Sequence, residues 1–272
     1  MSRPAPRLIL TRPDPDNGPW LQALTRAGVA ALAWPLIEIE APAHSASALA
    51  RAWDGLPQCR AVMFVSRAAV VHFFAHRPAE GAWPDATRAW CTGPGTRQAL
   101  MAQGLAPQQI DAPAQDASWD TEHLWPVVCQ QIQPGHIVLF VRGDDAPLAG
   151  TVAPSPTQTS TGVGRDWLAQ QVAAVQGQIR WAVAYQRACP RWSQDQRHQA
   201  LQALEDGSVW VFTSAQGLKH LATLLPGADC TRAKAVATHA RIAQKARELG
   251  FGQVVTCRPA VPDVLASLES MA

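Results

Sequence analysis

Hydroxyl and arginine side chains recur directly after the apolar runs of this chain. Arg12 follows LILT, Arg142 follows VLFV, Ser66 follows AVMFV, and Thr213-Ser214 follow VWVF. In open α/β sheets, ligands bind where strands end and helices begin. The N–H groups exposed at helix starts carry partial positive charge and attract anions. The pattern therefore predicts binding of a ligand that carries several carboxylates.

Two further turns have the same character. Thr96 lies in the turn after one apolar run, and His239 and Arg241 lie in the turn after another. The hydroxyl positions also have a structural interpretation, because Ser and Thr cap helices. Ser66 and Ser214 are good N-cap residues and Thr96 is another candidate, so capping and ligand contact both remain open for them.

Tyr185 is the single tyrosine of the chain and ends the apolar segment WAVAY, two residues before Arg187. A tyrosine hydroxyl can donate a proton to a leaving group. The alternative is a tyrosine that only packs between domains. The sequence contains no GxSxG, P-loop or HExxH motif and no well-formed GxGxxG after a strand, so the usual catalytic constellations are missing.

Composition limits the class of protein. The chain has 272 residues, of which 47% are hydrophobic and 16% charged, so a large core is expected in one large or two small domains. The net charge of +2 and the absence of a basic run argue against a nucleic-acid binder. The six cysteines form no CxxC pair, so no metal or redox cofactor is expected. No apolar run approaches a membrane span, and the first residues lack the apolar part of a secretory signal, so a cytoplasmic protein is expected.

The chain contains an internal duplication. Placing Phe64 on Phe212 at an offset of 148 superposes Ser66 on Ser214, and an offset of 130 superposes Arg12 on Arg142. Further matches follow in the same order, among them Thr92 with Thr238, Gly104 with Gly250, and Trp20-Leu21 with Trp167-Leu168. Matches in one chain order predict two copies of an α/β unit.

Each copy alternates short apolar runs with helical patterns, which predicts doubly wound parallel sheets. The predicted strands are 7–11, 29–36, 61–65, 88–92, 137–141, 178–184, 209–212, 235–238 and 254–256. Predicted helices include 20–27, 67–75 and a closing helix over 261–270. The segment 144–165, which contains PSPTQTSTGVG, predicts a mobile surface loop.

Several segments together resemble the uroporphyrinogen-III synthase family. The opening LILTRP and the following LTRAGVAALAWPLIEI are similar to the start of that family. AVMFVSRAAVVHFF, CTGPGTRQAL, VAYQR and VWVFTSAQGLKHL are similar to its later segments, and RELGF with RPAVPDVLASL to its end. The motifs are short, but they follow in order over nearly the whole chain.

The resemblance implies two doubly wound domains joined by a two-stranded linker. One domain would comprise residues 1–35 with 186–272, and the other residues 42–179. The linker strands would be 36–41 and 180–185. Two thin strands would allow hinge motion between the domains.

The resemblance also implies an activity: a lyase of haem biosynthesis that closes hydroxymethylbilane to uroporphyrinogen III, with inversion of ring D and without a cofactor. Tyr185 would be the proton donor. Hydroxyls and arginines would contact the eight substrate carboxylates, namely Arg12, Ser66, Thr96, Arg142, Arg187, Thr213, Ser214, His239 and Arg241. A monomer is expected, and the preceding pathway enzyme is a possible partner.

One turn departs from the family pattern. Where the family has Gly-Pro-Thr-Thr-Ala, this chain has His239-Ala-Arg241-Ile-Ala243, so hydroxyl contacts from that turn are in doubt. His239 and Arg241 are the hypothetical replacements. This departure and the loop 151–164 leave open a degenerate paralogue that keeps the fold without the activity. Duplicated α/β lobes with a hinge also fit a non-catalytic two-domain binder of an anionic small molecule.

Overall fold

The structure, a computed structural model, describes residues 6–14, 16–42, 46–114, 118–145 and 163–271. Most of the predicted mobile loop, residues 146–162, lies outside these ranges. The chain divides into two compact units, residues 1–39 with 188–272 and residues 40–187. The chain therefore passes between units twice.

The first unit contains a five-stranded sheet with the order β11-β10-β9-β1-β2. Its strands are β1 (Leu8–Leu10), β2 (Ala31–Ala33), β9 (Val209–Phe212), β10 (Lys234–Ala237) and β11 (Gln253–Thr256). All of its strand pairs are parallel. The helices are α1 (Asn17–Arg26), α7 (Gln194–Glu205), α8 (Ala215–Leu224), α9 (Ala240–Glu248) and α10 (Val261–Glu269).

A six-stranded sheet has the order β3-β8-β7-β4-β5-β6. Its strands are β3 (Glu38–Glu40), β4 (Cys59–Phe64), β5 (Arg88–Cys91), β6 (Ile110–Asp111), β7 (Ile137–Asp145) and β8 (Gln178–Ala188). The pairs from β8 to β6 are parallel. The helices of the second unit are α2 (Ala46–Asp54), α3 (Arg67–Phe74), α4 (Pro94–Ala102), α5 (Thr121–Val128) and α6 (Val163–Ala174).

The first unit buries both faces of its sheet. Leu8 and Leu10 point to the side that packs with α1 and α10, whereas Ile9 joins Trp210 and Phe212 on the side of α7, α8 and α9. This alternation follows from the two-residue period of a strand. Strands covered on both faces read as continuous apolar runs, which is the pattern of LIL and VWVF.

The second unit is built in the same way. Met63 and Phe140 pack on one face with residues of α5 and α6. On the other face the ring of Phe64 contacts Phe73 of α3, which stacks on Trp53 of α2 at 5.0 Å. The predicted fold class, α/β with two parallel sheets, is confirmed.

The two sheets also confirm the duplication in strand order. The sequence β11-β10-β9-β1-β2 corresponds, strand by strand, to β6-β5-β4-β7-β8. The two copies follow each other along the chain, but each sheet contains strands from both copies. The β1-α1-β2 segment joins the last third of the chain, and β4 to α5 joins β7-α6-β8.

The element boundaries differ from the sequence expectation at particular residues. The predicted strand 29–36 is short, Ala31–Ala33, and pairing resumes at β3 only after Pro35, which has no N–H to donate. Strands β7 and β8 each extend four residues beyond the predicted ends. Gly28 ends α1 with a φ of +71°, as expected for a C′ glycine.

The proposed division at residues 35, 42, 179 and 186 stays a prediction. In the structure, β8 is one continuous strand through the segment that was expected to be a separate linker. It neighbours β3 in the sheet order, and the unit boundaries fall after Ile39 and Arg187.

Candidate functional site

The carboxyl ends of three adjacent strands bring the predicted residues of the second unit to one sheet edge. Phe64 of β4 is in register with Cys91 of β5 and with Val141 of β7. Ser66 and the 92–97 turn therefore follow their strands at the same end of the sheet as Arg142, which lies within β7 one residue after Val141. The strand order explains this, because in a parallel sheet all carboxyl ends lie on the same side.

Tyr185 and Ser66 are in direct contact. The Tyr185 hydroxyl lies 3.1 Å from Ser66 Oγ, and either can be the donor. Ser66 is the N-cap of α3 and accepts a hydrogen bond from the Ala69 N–H at 3.1 Å. The predicted capping role of Ser66 is confirmed, and it coexists with a contact to the candidate proton donor.

The tyrosine ring is held against a glycine. Tyr185 is opposite Gly143 in the β7–β8 register, just after an irregularity between Arg142 and Gly143. A Cβ on Gly143 would lie 2.3 Å from two ring carbons of Tyr185. Only glycine accommodates the ring in this position. In the sequence, this constraint is visible only as a glycine after Arg142.

Arg142 is buried and lacks a full set of partners. It is 5% exposed, and its guanidinium lies 4.9 Å from the ring centroid of Trp181, which itself is 45% exposed. Its Nε has no hydrogen-bond partner among the described residues. A buried unpaired donor is costly, so Arg142 is a candidate for a carboxylate contact. Trp181 is a neighbour that the sequence did not single out.

Arg187 is already paired. Its guanidinium donates to Asp145 Oδ1 at 2.8 Å from Nε and 2.7 Å from Nη2. The pair joins the ends of β7 and β8, where Asp145 and Arg187 are in register. A substrate carboxylate would have to compete with this internal carboxylate.

Thr96 lies in the first turn of α4, but it is not the cap. The helix begins at Pro94 with Gly93 as N-cap, so capping by Thr96 was wrong. Arg97 of the same turn has a buried Nε without a partner in the described part of the chain. With Pro94, Gln98, Met101 and Trp119 it lines an open pocket.

Cys91 lies beneath this turn at the end of β5. Burial raises the pKa of its thiol to about 11, and the Gly93 N–H and the charge of Arg97 oppose that shift. A thiol with a raised pKa is protonated at neutral pH and is a poor nucleophile. Cys91 therefore belongs to the core.

The first unit places its predicted residues at the matching edge. β9 lies between β1 and β10, so Arg12, Thr213 and Thr238 leave three adjacent strands. The Arg12 guanidinium lies 4.9 Å from the Trp20 centroid and 3.9 Å from Asp16. Burial lowers the pKa of Arg12, and the carboxylate of Asp16 opposes that change.

Two helices start at this edge, and both have side-chain caps. Ser214 Oγ accepts from the Gln216 N–H at 3.2 Å, which confirms its capping role. His239 is the N-cap of α9, and its Nδ1 accepts from the Arg241 N–H at 3.2 Å. The ring nitrogen is thus the capping acceptor, a role that a side-chain hydroxyl more often has. This role was not predicted from the sequence.

The two helical histidines have different surroundings. His220 is buried, with Nδ1 2.6 Å from the Leu36 carbonyl oxygen, and its role is structural. His72 lies with its ring centroid 5.9 Å from that of Tyr185. Burial, and next the charge of His76, lower the pKa of His72. A neutral imidazole therefore faces the tyrosine at neutral pH.

The described residues contain no group of three or more His, Cys, Asp or Glu side chains that could hold a metal ion. Among the helices that the structure describes, none is long and apolar enough to cross a membrane. At the carboxyl ends of the strands, both units carry hydroxyls, guanidinium groups and helix starts. The second unit also has the phenolic hydroxyl of Tyr185.

A family model for "Uroporphyrinogen-III synthase HemD" matches residues 19–149 and 157–266. The chain belongs to the uroporphyrinogen-III synthase family. This is a family of enzymes, the cyclising lyases of haem biosynthesis, which act on a small-molecule tetrapyrrole. The family assignment favours the enzyme over the non-catalytic binder that the sequence left open.

Solved structures of the family share the fold. A uroporphyrinogen-III synthetase from Helicobacter pylori has a TM-score of 0.56 and 15% identity, covering 98% of this chain and all of its own. A mutant uroporphyrinogen III synthase from Thermus thermophilus has a TM-score of 0.54 and 15% identity, covering 98% of both chains. At this identity the likeness supports the two-domain α/β architecture alone.

Proposed function

We propose that this chain converts hydroxymethylbilane to uroporphyrinogen III with Tyr185 as the proton donor. The single observation that carries the choice of residue is the tyrosine hydroxyl at the carboxyl edge of the sheet, hydrogen-bonded to the N-cap of α3. A phenol in this position has both a proton to give and neighbours that stabilise its anion.

The proposed chemistry begins at the hydroxymethyl group on ring A. Tyr185 gives its proton to that hydroxyl, the C–O bond breaks, and water leaves. The pyrrole nitrogen supplies the electron pair, which makes an electrophilic azafulvene. Ring D then attacks through its substituted carbon to form the spiro intermediate, which rearranges with inversion of ring D. In the rearrangement, the bond between ring D and the methylene that joins it to ring C breaks, and that methylene bonds to the free α-carbon of ring D. That carbon then loses the proton that returns Tyr185 to its phenol form.

The remaining residues would bind and orient the substrate. Positioning matters because the bilane also closes spontaneously to the wrong isomer, so rate and selectivity both depend on how the ends are held. We assign carboxylate contacts to Arg142 in the second unit and to Arg12 in the first, with Ser214, Thr96 and Thr213 beside exposed helix starts. Arg187, His239 and Arg241 are further candidates.

The test is a coupled assay with purified protein. Hydroxymethylbilane is generated in the presence of the chain, the porphyrinogens are oxidised, and isomers I and III are separated by chromatography. Predominance of isomer III is the expected result. Isomer I alone, as in the reaction without this protein, would refute the activity and bring back the degenerate-paralogue alternative.

We also propose that the protein is a cytoplasmic monomer. Association with the preceding pathway enzyme would shorten the lifetime of the unstable bilane in solution. Size-exclusion chromatography with and without that enzyme measures both the oligomeric state and the association.

A further inference from the structure

The side chain of Ser66 connects the candidate proton donor to a helix start. Its Oγ lies 3.1 Å from the Tyr185 hydroxyl and 3.1 Å from the Ala69 nitrogen. Its φ of −164° and ψ of 165° are the extended values of an N-cap residue. The residue is thus fixed by the backbone on one side and by the tyrosine on the other.

The number of protons on these groups decides the direction of the hydrogen bond after proton transfer. A serine hydroxyl has one proton to donate and two lone pairs to accept with. The Ala69 N–H uses one lone pair. Once Tyr185 has given its proton away, its oxygen can only accept. The Ser66 hydroxyl must then be the donor in their contact.

The backbone strengthens that donation. Ala69 is in the first turn of α3, where N–H groups carry the partial positive charge of the helix start. A hydrogen bond accepted by Ser66 Oγ polarises its O–H, and chains of hydrogen bonds reinforce each other. Hydrogen bonds to charged groups are stronger than those between neutral groups, so the contact favours the phenolate over the phenol.

The ring is also kept in place for this contact. Gly143 leaves no space between its backbone and the ring, since a Cβ there would approach Tyr185 to 2.3 Å. The neutral imidazole of His72 lies on the ring at a centroid distance of 5.9 Å. The charged groups of β7 near the end of β8 are Arg142, Asp144 and Asp145, and Asp145 forms an ion pair with Arg187.

We propose that Ser66 is a positioning residue for catalysis, donating its hydroxyl proton to the Tyr185 oxygen and stabilising the phenolate that forms as the leaving hydroxyl is protonated. This inference rests on the proposed function of Tyr185. It gives Ser66 a role in the rate of the chemical step, distinct from the carboxylate contact that the sequence suggested.

The experiment compares Ser66→Ala, Ser66→Gly and Ser66→Thr with the unsubstituted chain. Glycine is a fair N-cap, so Ser66→Gly removes the hydroxyl with little cost to α3, and threonine restores both functions. The matched control is Ser193→Ala. Ser193 caps α7, accepts from the Gln196 N–H at 3.2 Å, and has no part in the site.

Two quantities are measured. The first is turnover in the isomer assay, with kcat and KM determined separately. The second is ionisation of Tyr185 by ultraviolet absorbance, which is unambiguous because the chain has a single tyrosine. We expect Ser66→Ala and Ser66→Gly to lower kcat roughly 10- to 100-fold, as for loss of a hydrogen bond to a charged group. KM should change little, and the pH of half-ionisation should rise.

Ser66→Thr should return both quantities to near their original values, and Ser193→Ala should change neither. Loss of thermal stability alone, with kcat and tyrosine ionisation unchanged, would overturn the proposal and leave Ser66 as a cap. If Tyr185→Phe itself leaves turnover unchanged, the proton-donor function fails and this inference fails with it. If Tyr185→Phe is slow but Ser66→Gly is not, the inference alone fails.

Discussion

In the second sheet, β8 runs unbroken from Gln178 to Ala188, whereas the matching segment near the start of the chain is interrupted around Pro35: β2 ends at Ala33 in the first sheet, and β3 begins at Glu38 in the second. By the strand registers Ala33 corresponds to Trp181, because Leu10 pairs with Ala33 where Phe140 pairs with Trp181. The tryptophan of this segment, Trp34, lies one residue later. Trp34 packs on Trp210 in the first core, while Trp181 is half-exposed beside Arg142. The copies have kept the scaffold and diverged in what this segment does.

The serines at equivalent positions show the same divergence. Ser66 and Ser214 both cap the helix that follows the central strand. Of the two, Ser66 contacts Tyr185, which is the single tyrosine of the chain. Duplication thus supplies two similar sets of helix starts, and a single added hydroxyl makes one edge chemically different from the other.

The largest effect is expected from removing the hydroxyl of Tyr185. Tyr185→Phe keeps the ring against Gly143 and deletes the hydroxyl, so the fold should be retained. We expect turnover to fall at least roughly 100-fold, the lower range for general acid catalysis. The isomer assay and circular dichroism measure the two effects. Unchanged rate and isomer purity would show that both edges serve only for binding.

The second test displaces the tyrosine without deleting it. In Gly143→Ala the new Cβ would lie 2.3 Å from the ring, so Tyr185 must move away from Ser66. We expect a loss of about 1–3 kcal/mol in stability and a fall in kcat of about 10-fold or more.

The control for this variant is Gly18→Ala. Gly18 is exposed in α1 with nothing within 4 Å of an added Cβ. Alanine there should leave stability unchanged or raise it by roughly 0.5 kcal/mol, since glycine is a poor helix former. Equal behaviour of the two alanine variants in thermal melts would contradict the close packing at Gly143.

The third test replaces a residue of the second unit with the residue found at the matching position of the first unit. Cys91 ends β5, and at an offset of 146 the first unit has Ala237, also fully buried. Burial raises the pKa of the Cys91 thiol from its ordinary value of 9.0 to about 11. Above pH 9 the unfolded chain loses this proton before the folded chain does, so stability falls as pH rises towards 11.

Cys91→Ala removes that titration. Its stability should fall less steeply between pH 9 and pH 11, with a difference of about 1–3 kcal/mol over the interval. Denaturant melts at pH 8 and at pH 10.5 compare the two slopes, which separates the effect from the constant cost of a small cavity. Parallel curves for the two proteins would rule out Cys91 as the source.

The smallest effect is expected at the unusual cap of α9. His239→Ala removes the acceptor for the Arg241 N–H and should cost about 1 kcal/mol, whereas His239→Ser should keep the cap. Thermal melts of the pair isolate capping. If KM rises in both variants while stability is retained only in His239→Ser, the imidazole also contacts the substrate.

Much of the fold followed from local patterns. Runs such as VWVF and AVMFV gave the buried strands, because a strand covered on both faces is apolar throughout. The glycine at position 28 marked a helix end. The matched positions Phe64 and Phe212 indicated the duplication, since both lie at strand ends of equivalent sheets.

The remaining features depend on contacts between distant residues. Ser66 and Tyr185 are 119 residues apart, and nothing local to either predicts their hydrogen bond. The pairing of Arg187 with Asp145 depends on the register of β7 and β8. Threonine often caps helices, which made Thr96 a cap candidate. Proline, however, fits the first helical position, so α4 begins at Pro94 and Gly93 is its N-cap.

The crosswise combination of the two copies sets the order in which a nascent chain can fold. Leu8 of β1 pairs with Val209 of β9, a partner translated about 200 residues later. At 5–20 residues per second this takes roughly 10–40 s. Meanwhile residues 40–187 leave the ribosome as a complete unit. Until β9 is made, the apolar LIL strand can pair only with β2, and its other side lacks its native partner, so the first unit is the last to complete its sheet.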